Sequence, residues 1–145
     1  MSFMWADTLL SAERTLLLRL LVWGALSVLT GTALLAWLRI RGRSSLLLEH
    51  FAIQMAAWGV VELAFVALSW RSLAPRDLAA ATRLDRLLWL NAGLDVGYVL
   101  VGVSLAVTGW RLGRRFGVVG AGIGVVVQSA ALLLLDLRLA SQISR

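Results

Sequence analysis

Asn91, Asp95, Tyr98 and Gly102 follow one another at steps of four, three and four residues inside an otherwise apolar run, so they share one face of a helix. A second stripe, His50, Gln54, Trp58 and Glu62, advances in steps of four and drifts by about 40° per step. A third places Gly120, Gly124, Gln128 and Asp136 at steps of four and eight. Carboxyls, amides and a phenol on facing helices can bind a proton, a cation or a small solute. They can equally hydrogen-bond the helices to one another. An ionisable side chain at the centre of a membrane helix costs at least about 2.5–3.5 kcal/mol on insertion scales, so each needs a partner or a water-filled cavity.

The elements that carry these stripes are four apolar runs: Thr15 to Leu38, about Leu46 to Trp70, Leu87 to Trp110, and Phe116 to about Leu139. Each has the roughly 20 residues that cross a bilayer core. The chain of 145 residues is 60% hydrophobic, which leaves no length for a separate soluble domain. The expected fold is all-α, a four-transmembrane-helix antiparallel bundle in one membrane domain over 1–145. The tight Arg111 to Arg115 hinge makes the third and fourth helices neighbours. Pro75, the only proline, sits in the longest connection and predicts a short interfacial helix over 75–86 leading into the third span. Met1 to Arg14 lacks the positive start of a secretory signal and reads as uncleaved, with Trp5, Leu9 and Leu10 along the bilayer surface.

Depth brings the polar groups into one half of the membrane. At about 1.5 Å per residue, Glu62 lies roughly 10 Å, Asp95 roughly 12 Å, Asn91 roughly 6 Å and Gln128 roughly 16 Å from the side that holds both termini, here called side Y. Arg19 and Asp136 fall within roughly 4–6 Å of the same side. The candidate ligand- or proton-binding set is therefore Asp95, Asn91, Glu62, Gln128, Arg19, Tyr98, Trp58 and Gln54, with Asp136 and His50 secondary. Glu62 and Asp95 form a proton-handling or cation-binding pair, or are satisfied structurally by Asn91, Gln128 and Arg19. Arg19 neutralises one of them or snorkels to the interface. Asp136 is an interfacial charge or a site residue, and Tyr98 donates into its stripe. Trp58 sits mid-helix, where its indole N–H needs a partner or its ring lines a cavity.

All fourteen basic residues are arginines, against eight acids, for a net charge of +6. Six of them crowd the short loops 39–45 and 111–115 on the opposite side, side X, and seven spread over side Y. Their density points to side X as cytoplasmic and both termini as outside. Their position at span ends argues for membrane orientation and against nucleic acid. With no cysteine and one histidine, no metal set and no cofactor is implied. Catalytic motifs are absent, and the Gly117 to Gly124 run reads as helix packing. The pairs Gly93 and Gly97, Gly113 and Gly117, and Gly120 and Gly124 let backbones approach, within one bundle or between protomers.

His50-Phe-Ala-Ile-Gln54 with Trp58, Leu90-Asn-Ala-Gly-Leu-Asp-Val-Gly-Tyr98, and Gln128 to Asp136 resemble segments of a small bacterial four-helix membrane family of unknown function. The resemblance implies a bacterial inner-membrane protein and brings no activity. Its first helix departs most from the pattern, and Glu62 stands where a neutral amide is usual, which moves the expected functional acid toward Asp95. The leading expectation is a non-enzymatic scaffold or accessory subunit that partners the lipid bilayer and forms a homo-oligomer or joins other membrane subunits. The alternative is binding or transport of a small solute, proton or cation through the polar cluster.

Overall fold

A chain segment in lipid must satisfy its backbone hydrogen bonds internally, so long apolar runs free of proline become helices. The computed structural model describes residues 2–74 and 77–143, with four helices: α1 (Ser2–Ile40), α2 (Leu46–Arg71), α3 (Leu78–Arg111) and α4 (Phe116–Ile143). All four are long and apolar enough to cross a membrane, and no strand occurs among the described residues.

Two helices are longer than the sequence pattern predicts. α1 has 39 residues and α3 has 34. At 1.5 Å per residue they reach about 58 and 51 Å, well beyond a hydrocarbon core of about 30 Å. The interfacial helix expected over 75–86 and the third span form a single helix. Asp77 caps it, its Oδ1 accepting from Ala80 N at 2.7 Å, and no proline follows within the helix, whose first glycine is Gly93. Pro75 itself lies outside the described residues. The N-terminal stretch likewise continues straight into α1, where Leu9 is buried against the bundle rather than laid along a surface. The side chain of Trp5 lies outside the described residues.

The two side X turns are short because glycine takes the left-handed conformation in each, Gly42 at φ 60° and Gly113 at φ 79°. Arginines beside them lie over interfacial rings. Arg43 stacks on Trp37 at 5.8 Å and Arg114 on Trp110 at 5.4 Å from the ring centre.

Packing follows the order α1, α2, α4, α3. α1 packs on α2 and more lightly on α4; α2 packs on α4; the backbone of α3 approaches that of α4 alone. The glycines of α4 explain why it takes the central place. Gly122 meets Gly102 of α3, where an added Cβ would stand 2.5 Å from the Gly102 carbonyl oxygen. Gly120 and Gly124 face the other way, onto Leu47 and Gln54 of α2. Lipid gives helices no hydrophobic reason to associate, so this backbone proximity supplies the contact. Gly93 and Gly97 behave differently: both are exposed on the outer face of α3 with nothing within 4 Å.

Candidate acidic cavity

Because α2 and α3 both lean on α4 and not on each other, a wedge opens between them toward side Y. It encloses a cavity of about 590 Å³ with walls from all four helices. Most of the wall is leucine, valine and phenylalanine. Four carboxyls interrupt it: Glu13 of α1, Glu62 of α2, Asp95 of α3 and Asp136 of α4, joined by Asn91, Tyr98 and Trp58. No arginine lines it among the described residues.

Glu62 is the most distinctive member. It is 4% exposed, and neither carboxyl oxygen meets a hydrogen-bond donor. The nearby Trp23 indole is committed elsewhere, its Nε1–H donating to Gln128 Oε1 at 2.8 Å. Asp95 is also buried and shares the cavity wall with Asp136. Gathering acids in a low-dielectric space without a cation is unfavourable, since like charges there repel strongly and each loses its hydration. The carboxyls are dispersed around the wall: no three acidic or histidine side chains among the described residues converge at metal-holding spacing. Trp58 and Tyr98 meet edge to face, ring centres 6.0 Å apart, and bridge α2 to α3 across the cavity.

Six of the predicted site residues thus come together here: Asp95, Asn91, Glu62, Tyr98, Trp58 and Asp136. Four do not. Gln128 is fully buried beyond the cavity, where it accepts from Trp23 and its Nε2 approaches the Met55 carbonyl oxygen at 3.5 Å. Gln54 packs on Gly124 at the α2–α4 contact. Arg19 lines a separate groove between α1 and α4. His50 is exposed at side X, its Nδ1–H donating to Leu46 O at 2.9 Å while its ring covers Gly117. The sequence reading missed Glu13 because it began the first span at Thr15. The signal was present: Leu9, Glu13, Leu17 and Leu20 repeat at helical spacing, and all four are buried.

The fold defines a multi-pass membrane protein with four spans and an acidic cavity between the second and third. The chain belongs to DUF6992, a family of unknown function, over residues 19–137. Glu62, Asn91, Asp95 and Asp136 fall within the matched region and Glu13 outside it. No curated protein and no solved structure matches the chain.

Proposed function

We propose that the chain binds a small organic cation with an apolar body in this cavity. The observation that carries the reading is Glu62, a buried carboxyl whose two oxygens face no donor at the wall of an acidic space. A volume of about 590 Å³ lies within the roughly 300–1,000 Å³ of small-molecule sites, which pair mostly apolar walls with a few placed polar groups. The scattered carboxyls suit a cation of molecular size better than a bare metal ion. Trp58 and Tyr98 line the space with aromatic rings whose faces attract a desolvated cation. Exposed Phe65, Leu87 and Leu94 rim the space between α2 and α3, so entry is lateral, from the lipid. Alongside the carboxyls the wall carries one amide, one phenol and the hydroxyls of Ser69 and Ser72, the latter donating to the Ser69 carbonyl oxygen, and the reading is of binding without catalysis.

Tetraphenylphosphonium and tetraphenylborate, nearly equal in size and opposite in charge, test it in detergent. The cation is expected to bind at least about tenfold tighter than the anion, a difference of about 1.4 kcal/mol. Glu62→Gln and Asp95→Asn are each expected to weaken the cation with helix content unchanged. Protons compete for the carboxylates, so affinity falls with falling pH. Equal binding of the two ions would sink the proposal.

One observation favours the scaffold or accessory-subunit reading. Gly93 and Gly97 leave a small-residue face of α3 uncovered, the surface on which another membrane helix, from a second copy or another subunit, packs closely. A lone monomer in mild detergent counts against it. For either reading we place the protein in a bacterial cytoplasmic membrane with loops 39–45 and 111–115 inside, on the density of their arginines.

A further inference from the structure

A second groove, of about 520 Å³, lies between α1 and α4. Its charged residues are Arg19 and Arg138, both exposed. Neither guanidinium has a hydrogen bond, ion pair or ring contact among the described residues, and no acid lines the groove. From each arginine an apolar row leads inward. On α1, Arg19 is followed by Val22 and Leu26 at steps of three and four; on α4, Leu134 and Ala131 precede Arg138 by four and seven. Val22, Leu26 and Leu134 are each more than half exposed, so the rows are open surface at membrane depth.

Two like charges facing one groove without a counter-charge call for an anion, and guanidinium forks match phosphate oxygens. A free phosphate would leave the two apolar rows uncovered. An acyl chain covers them: Arg19 to Leu26 spans about 10 Å along the helix axis, the upper part of a lipid tail. We propose that this groove seats an anionic phospholipid, its phosphate held by Arg19 and Arg138 and one chain laid along Val22, Leu26 and Leu134. The groove shares Leu135 with the acidic cavity but none of its carboxyls.

Native mass spectrometry of the protein loaded with phosphatidylglycerol or with phosphatidylcholine reads the proposal directly. Retention of phosphatidylglycerol is expected to exceed that of phosphatidylcholine by about tenfold, which corresponds to about 1.4 kcal/mol. The double variant Arg19→Gln/Arg138→Gln is expected to bring the two lipids near parity, while Arg39→Gln/Arg41→Gln, which removes two exposed charges at the side X end of α1, keeps the preference. Leu134→Trp obstructs a tail row and leaves both arginines, and it is expected to weaken retention. Should the double variant fail to fold, the wild-type preference and Leu134→Trp still decide. Parity of the two lipids in the wild type, or an equal loss in Arg39→Gln/Arg41→Gln, would overturn the proposal. So would thermal protection by inorganic phosphate equal to that given by phosphatidylglycerol.

Discussion

Replacing Glu62 by methionine should make the protein more stable and unable to bind its ligand. Methionine keeps nearly the length and flexibility of glutamate and removes both oxygens. Those oxygens are buried without a donor, and an unsatisfied buried polar group costs about 1–3 kcal/mol. The variant is therefore expected to gain about 1–3 kcal/mol, which for a chain of this length raises Tm by roughly 3–10 °C. Helical ellipticity against temperature, in one detergent for both proteins, measures the gain. Adding tetraphenylphosphonium at about 100 times its Kd should stabilise the wild type by about 2.7 kcal/mol and leave Glu62→Met unmoved. The alternative outcome is equally plain. A Tm that falls by several degrees would mean that Glu62 holds a structural partner, and the case for a ligand site at Glu62 would fall with it.

Gly122→Ala should loosen α3 from α4, because its Cβ would stand 2.5 Å from the Gly102 carbonyl oxygen; a cost of about 1–3 kcal/mol from overpacking outweighs the roughly 1 kcal/mol that alanine gains in helix propensity. Gly93→Ala meets nothing within 4 Å, so a monomer should become slightly more stable, whereas a loss of both stability and assembly would show that a second chain covers that face. Cysteine crosslinking between α3 and α4, with size-exclusion profiles, separates these outcomes. Gln128→Leu removes the acceptor of the Trp23 indole N–H and is expected to cost about 1–3 kcal/mol in thermal unfolding. Trp58→Ala removes the edge-to-face contact with Tyr98 and should weaken tetraphenylphosphonium severalfold at a cost of at least about 0.5–1.5 kcal/mol in thermal unfolding.

The four helices, their approximate spans and the clustering of acid near side Y are legible in the sequence, because span length, hydropathy and the rise per residue are local properties. Which stripes face each other is not. From His50 to Glu62 the α2 stripe drifts by about 120°, so its first half packs against the glycines of α4 while its second half turns into the cavity. The glycine pairs show the same limit. Gly120 and Gly124 are buried in the bundle and Gly93 and Gly97 lie outside it, although their spacing is identical. Spacing specifies that a close approach is available, and the arrangement of helices decides whether one occurs.

The polar half that the sequence determined therefore became a cavity only through tertiary packing. α2 and α3 each found a close glycine contact on α4, at different faces of it, and had no such contact with each other. Without a hydrophobic drive to bring α2 and α3 together in lipid, the space between them stayed open, and Glu62, Asp95 and Asp136 line it.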